Sequence, residues 1–278
     1  MTNDPAMARR SLRSQVMTGA VPQSNDRVVH YEVANGIATI TLDSQHNRNA
    51  LSRQLLADLH QSLNEAEAAD ARAIVLTHRG PAFCAGADLK ERAAAASAPA
   101  DSSPFVRALE RLMDAACPTI AVVNGAVRAG GIGLMASCDL VVVHDSTTFA
   151  LTEVRIGVAP AIIAVPILRR VPPSRIAAAM LTGESFDAES ARQMGLVTHV
   201  SSDVVSTVDD LCDGILRGAP TAVAATKRVL HTVADMERTS AFDAMATLSN
   251  DLFNAPDAAE GMAAFAEKRL PNWSQPAS

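Results

Sequence analysis

The chain has 278 residues, 48% hydrophobic and 19% charged, with a formal net charge of −6. That is enough for one large core, or one core with a small helical appendage, while the acidic balance with no concentrated basic face argues against nucleic acid. No apolar run reaches the ~20 residues of a membrane span, and Cys84, Cys117, Cys138 and Cys212 form neither a CxxC pair nor a zinc-ligand spacing, so reduced thiols in a cytoplasmic protein without a metal are expected.

Residues 1–26 read as a disordered tail. Arg9, Arg10 and Arg13 stand among Ser, Asn and Gln without the apolar segment that a secretory or twin-arginine signal requires. An organelle transit peptide, or a start at Met7 or Met17, are the alternatives. Val28 to Val33 and Ile37 to Leu42 then read as strands. Asn35-Gly36 between them signals a hairpin, because both turn positions need positive φ. Ser52 is the expected N-cap of a helix whose apolar face is Leu55, Leu56, Leu59 and Leu63. Ala73 to Thr77 is a short buried strand.

Residues 93–104 (AAAASAPADSSP) are of low complexity, and Pro99, Pro104 and the serines oppose a long helix. A flap beside a pocket and a plain surface loop are equally open readings. Helical spacing resumes from Phe105 to Ala115, Pro118 breaks it, and Thr119 to Val123 is the next strand. A helix from about Gly131 to Ser137 and a strand from Leu140 to Val143 follow. This alternation argues for an α/β core with partly parallel sheet. The last third reads as helices: Asp187 to Met194, Val204 to Arg217, Thr221 to Val233 and Ser240 to Phe253. The Phe242, Met245, Leu248 and Leu252 stripe suits core or subunit contact. The division expected is a tail (1–26), an α/β core (27–200) and a helical C-terminal section (201–278).

Two glycine-bearing turns dominate the chain: AFCAGADLKE, from Ala82 to Glu91, and VNGAVRAGGIGLMASCD, from Val123 to Asp139. Each follows an apolar β-branched run and precedes a helix. A small residue at such a junction lets backbone approach a ligand and leaves its N–H free. Two free N–H groups aimed at one point would stabilise an oxyanion, so the pair points to carbonyl or thioester chemistry, with tight turns of no further purpose as the plain alternative.

These stretches, with NRNAL (Asn47 to Leu51), PTIAVVNG, CDLVV, FALTEVRIGVAP (Phe149 to Pro160), LTGESFDAESARQMGLV (Leu181 to Val197) and FAEKRLP (Phe265 to Pro271), resemble the crotonase superfamily, also called the enoyl-CoA hydratase/isomerase family, in order from about Val28 to the C-terminus. The resemblance implies an α/β spiral of ββα units with a helical trimerisation section, and a homotrimer or hexamer acting on acyl-CoA. Coenzyme A enters as part of the substrate, and no separate cofactor is expected. The matching oxyanion donors are the N–H groups of Ala87 and Gly130. Gly130 also opens a helix, where the macrodipole adds positive potential. The matching acid/base is Glu153, whose burial would raise its pKa toward a useful range. Asp88, Leu89 and Lys90, with Arg48 and Lys268, match CoA contacts, Lys268 sometimes reaching a neighbouring subunit in relatives.

One departure stands out. The pattern's first glutamate falls at Gly133, which cannot carry a proton. The resemblance is therefore to one-glutamate members. GIGL and TEVRIGVAP favour a hydratase adding water across a 2-enoyl-CoA. AGG favours a Δ3,Δ2-enoyl-CoA isomerase. A non-catalytic acyl-CoA-binding protein is the third reading, and Glu153 argues against it. Of the neighbours, Asp88 is expected to fix its own turn, Arg128 to lie at the surface or meet a substrate carboxylate, His144 to be exposed, and Cys84 and Cys138 to be buried small hydrophobes.

Overall fold

A computed structural model describes residues 27–94 and 101–274. The tail reading (1–26) and most of the low-complexity stretch lie outside the described residues. Two strands open the fold, β1 (Val29–Ala34) and β2 (Ile37–Leu42). They pair antiparallel, from Val29 opposite Leu42 to Ala34 opposite Ile37. Asn35 and Gly36 take φ of 51° and 79°, the conformation the two-residue hairpin demands. Helix α1 (Arg53–Ala68) starts at Ser52, whose hydroxyl accepts from Leu55 N. Its four expected leucines are all buried.

From there the chain repeats one plan. A long strand of a first sheet is followed by a short strand of a second sheet and then by a helix. The pairs are β3 (Ala73–His78) with β4 (Ala82–Cys84), β5 (Thr119–Val123) with β6 (Ala126–Arg128), and β7 (Leu140–His144) with β8 (Thr148–Ala150). The helices that follow β4 are α2 (Leu89–Ala94) and α3 (Ser103–Asp114). Helix α4 (Gly130–Ala136) follows β6, and α5 (Ala161–Arg170) and α6 (Pro173–Thr182) follow β8. Strand β9 (Ser185–Asp187), α7 (Ala188–Met194) and β10 (His199–Ser201) close the pattern. The first sheet has the order β1-β2-β3-β5-β7-β10 and the second β4-β6-β8-β9. From β2 onward every pairing in the first sheet is parallel.

A parallel sheet needs cover on both faces, which is why its strands are apolar throughout. One face meets the main core, built from α1, α3, α4 and the second sheet, with Phe83, Phe149, Leu59 and Leu112 wholly buried. The other face, bearing Val75, Ile120, Val122 and Val142, is covered by α8 (Val204–Arg217) through Val204, Val208 and Cys212. Helix α8, read from sequence as part of the helical section, thus forms the sheet's second layer.

The remaining helices are α9 (Pro220–Thr232), α10 (Arg238–Phe253) and α11 (Pro256–Glu267). A buried ion pair fixes α9 to the core. Lys227 Nζ lies 2.9 Å from Asp139 Oδ2 and donates to the Leu112 and Cys117 carbonyls. Asp139 also accepts from Thr119 N and His231 Nε2. Helix α10 has no buried residue within this single chain, and Phe242 and Phe253 are exposed. Among the described residues no helix is long and apolar enough to cross a membrane. The four cysteines are unpaired, and burial pushes the Cys84, Cys138 and Cys212 thiols up to about 12.

The tightest helix contact joins α4 to α5. A Cβ placed on Gly133 would lie 2.3 Å from Ile163 Cγ2, and both residues are buried. We expect Gly133→Ala to destabilise the protein by about 1–3 kcal/mol through overpacking, read as a lower denaturation midpoint at unchanged m-value. An unchanged midpoint would mean that α5 yields freely.

Candidate active site

The site forms where the two glycine turns meet. Gly86 has φ of 89°, and a Cβ on it would lie 2.8 Å from Ala129 Cβ and 3.4 Å from Gly130 N. Conversely, a Cβ on Gly130 would lie 3.6 Å from Gly86 Cα and 2.7 Å from Leu51 Cδ1. Only glycine at both positions allows this approach. Gly131 repeats the constraint against Cys84, whose Cβ and carbonyl lie 2.7 Å from its missing Cβ. Cys84 is therefore a small residue at a close contact, as expected, and so inert.

The backbone leaves the two expected donors unused. Leu51 N donates to the Gly86 carbonyl (2.7 Å) and Ala85 N to the Arg48 carbonyl (3.1 Å), while Gly86 N turns to Cys84 Sγ. Among the described residues, neither Ala87 N–H nor Gly130 N–H donates to a protein acceptor. Ala87 is exposed and Gly130 half-buried, so a ligand can reach both. Ala129, just before Gly130, has φ 49° and ψ −122°, a conformation that favours glycine.

The NRNAL stretch braces the first turn from the other side. Asn47 Nδ2 donates to Asp88 Oδ2 (3.0 Å). Asp88 Oδ1 in turn accepts from Lys90 N and Glu91 N, both at 3.1 Å. These bonds, that from Glu91 first and then that from Asn47, hold the Asp88 carboxyl below its ordinary range. Asp88 thus fixes its own turn, as expected. Arg48 and Asn49 are both left-handed, with φ of 57° and 55°. Arg48 is exposed, as are Leu89 and Lys90 beside Ala87. The structure therefore brings Arg48, Ala87, Asp88, Leu89, Lys90 and Gly130 together.

Glu153 joins them through the second sheet. Strand β8 places Ala150 opposite Arg128, and Ala129 N donates to the Ala150 carbonyl (3.0 Å). Three residues on, Glu153 opens a 3₁₀ turn, Glu153–Ile156. Its Oε2 is buried without a hydrogen-bond partner among the described residues. Burial raises its pKa, against the lesser effect of its own N–H. A carboxylate oxygen left without a donor is costly, and such perturbed groups gather at functional sites.

Lys268 stands apart. It ends α11 in a left-handed conformation, exposed. Gly261 of the same helix meets Trp273, whose carbonyl accepts from Arg72 at the start of β3. Arg72 precedes β3, at the end of that strand away from the glycine turn. Arg128 is half-buried and donates to the Val127 and Thr148 carbonyls and the Thr148 hydroxyl. His144 is partly exposed and bonded to Ser146.

Three contributors lie in stretches the sequence singles out, but their roles are not read from it. Asn49 is fully buried; it accepts from Ser44 N and donates to the Arg79 and Ala82 carbonyls, and so holds β4. Glu91 accepts from Arg53 N and binds the Arg53 guanidinium, which joins α2 to the start of α1. Ile163 occupies the space beside Gly133. The asparagine falls within the NRNAL stretch, but its burial and bonds, like the other two, need coordinates.

Comparison with known proteins agrees with this geometry. The family model for enoyl-CoA hydratase/isomerase matches residues 32–276. An enoyl-CoA hydratase domain-containing protein 3, mitochondrial, of Danio rerio is 33% identical over 251 residues, covering 87% of this chain and 86% of the relative. The crystal structure of an enoyl-CoA hydratase from Mycobacterium avium is 39% identical, with a TM-score of 0.68 and coverage of 89% and 99%. Pseudomonas aeruginosa AtuE superposes with a TM-score of 0.85 at 31% identity, covering 90% and 100%. With two sheets wound from repeated strand pairs, abutting glycine turns and a match over nearly the whole length, the chain belongs to the enoyl-CoA hydratase/isomerase family, that is, to the crotonase superfamily of enzymes.

Proposed function

We propose that this enzyme adds water across the double bond of a 2-enoyl-CoA, or removes it, through an enolate held by Ala87 and Gly130. The observation that carries the reading is the Glu153 carboxylate, with a buried oxygen that has no partner among the described residues, three residues after Ala150, whose carbonyl accepts from the Ala129 N–H next to Gly130. Electron density from the enoyl bond moves onto the thioester oxygen as the water oxygen bonds to Cβ. Glu153 takes the proton from that water. The enolate then collapses, and the same proton passes from Glu153 to Cα, so that H and OH both come from one water. Donors fixed for the charged oxygen stabilise the enolate more than the ground state. The hydratase names of the relatives support addition of water.

Arg48 and Lys90 are exposed cations beside the turn, suited to the phosphates of CoA, with Asp88 and Leu89 contributing backbone. Lys268 would come from a neighbouring subunit of a trimer or hexamer. The exposed Phe242, Phe253 and Phe265 of the helical section support such an assembly, and a cytoplasmic location suits the unpaired thiols.

A second reading, Δ3,Δ2-enoyl-CoA isomerisation, is favoured by Gly133. Ile163 fills the space there, so Glu153 acts without a second carboxylate at that position, and one carboxylate suffices to carry a proton between two carbons. Crotonyl-CoA, a 3-enoyl-CoA and 3-methylglutaconyl-CoA separate the readings. Loss of enoyl absorbance with water uptake marks hydration, and its appearance from the 3-enoyl compound marks isomerisation. Tight CoA binding with turnover of none would mark a binding protein.

Glu153→Gln should lower kcat at least 10³-fold and leave CoA affinity within a few-fold; normal turnover would refute the mechanism. The same variant should melt higher than the parent above neutral pH. A carboxyl whose folded pKa is raised contributes stability below its unfolded pKa and loses it as pH rises through the folded value. The difference in Tm should therefore close in acid, and a constant difference would deny the burial effect. For the parent, kcat/KM should fall as pH drops through an acid limb displaced above the ordinary glutamate range, because Glu153 must be ionised to take the first proton. A limb at the ordinary value would place the base elsewhere.

A further inference from the structure

The Gly130 Cα is walled by hydrocarbon. A Cβ built on Gly130 would lie 2.7 Å from Leu51 Cδ1 and 3.6 Å from both Phe105 Cζ and Gly86 Cα. Both side chains rest on the main apolar core. An oxygen bound at Gly130 N–H lies about 3 Å from that nitrogen, and its carbonyl carbon only about 1.2 Å beyond. The next carbons of a thioester bound there would lie within a few ångströms of Gly130, within reach of Leu51 and the tip of the Phe105 ring.

Phe105 does not depend on the residues before Asp101 for its position. It lies in the first turn of α3, and the preceding carbonyl, that of Pro104, accepts from His60 Nε2 of α1 at 2.8 Å. Arg111 of α3 donates to the His60 carbonyl (3.0 Å) and pairs with Glu67 (2.8 Å). Ala108, Leu109 and Leu112 bury the same helix. The ring tip is thus a fixed wall on a braced helix.

The two ends of an acyl-CoA differ in chemistry. Its phosphates suit the exposed cations Arg48 and Lys90, on the side braced by Asn47 and Asp88. Its hydrocarbon suits the apolar side. We infer that Phe105, backed by Leu51, is the specificity-determining residue that limits acyl size, so that the enzyme takes short acyl groups and Phe105 turns longer ones away. This rests on the reading that Ala87 and Gly130 hold the thioester oxygen.

The test uses the full-length enzyme and two acyl lengths. For turnover the probes are crotonyl-CoA and 2-octenoyl-CoA; for binding, measured by calorimetry, they are butyryl-CoA, octanoyl-CoA and free CoA. Phe105→Ala should raise the eight-carbon to four-carbon ratio of kcat/KM at least tenfold, in line with the 10–200-fold that a methylene-sized difference in an apolar pocket can supply. The octanoyl to butyryl affinity ratio should rise with it, and free CoA affinity should stay within twofold. Phe105→Leu should give a smaller shift in the same direction, and it carries the test if the alanine variant does not fold. Unchanged ratios in a folded variant would overturn the inference. So would an equal loss of affinity for free CoA, which would set the ring against the cofactor end. A parent that turns over neither enoyl-CoA would sink the proposed reaction, while the binding ratios would still decide the role of Phe105.

Discussion

Everything at the site depends on how closely two backbone turns approach. Gly86 and Gly130 lie so near that neither can carry a Cβ without striking the other turn or Leu51. The contact is short because the strands before them, β4 and β6, are neighbours paired in parallel in the smaller sheet. That sheet is stacked beside the larger one by the repeated strand pairs. The winding of the chain is thus expressed as a distance between two main-chain nitrogens.

Polar side chains set the remaining geometry from buried positions. Asn49 satisfies three backbone groups around β4, where loops would otherwise hide unpaired carbonyls at considerable cost. Asp139 does the same between β5 and β7, and Lys227 balances its charge. Pairing of this kind is what allows ionised groups inside a core, since removing either partner leaves the other desolvated. Glu153 differs, with one oxygen hidden and without a partner among the described residues, as is His78 Nδ1. A polar group left in deficit amid satisfied neighbours fits the general exchange of local stability for chemistry.

Much of the fold was legible because it rests on local rules. The Asn35-Gly36 hairpin, the Ser52 cap and the leucine face of α1 follow from φ preferences, capping and periodicity, and each stands where the residues place it. The short strands β4, β6, β8 and β9 were not legible. Three residues carry no usable period, and their strand character comes only from partners elsewhere in the chain. That α8 lies on the larger sheet was not legible either, since its apolar face looks the same whether it meets a sheet or another subunit. At the site, Ala87, Gly130 and Glu153 were found by motif, and their proximity was implied by the resemblance. What Gly133 meets was beyond reach, because a missing side chain gives no sign of what fills its place.

Helix α4 spans seven residues, only about 10 Å at 1.5 Å per residue. Its first residue supplies one amide of the pair, pressed against Gly86. Its last turn is gripped by Arg170, which donates to the Ala136 and Cys138 carbonyls, and the next residue is the anchored Asp139. A rod this short, seized at both tips, has little room to swivel. The aim of that N–H is settled when the polypeptide folds rather than when a guest arrives; under the proposed mechanism, the reorganisation that solvent dipoles would undergo around a new negative charge would then be completed during folding.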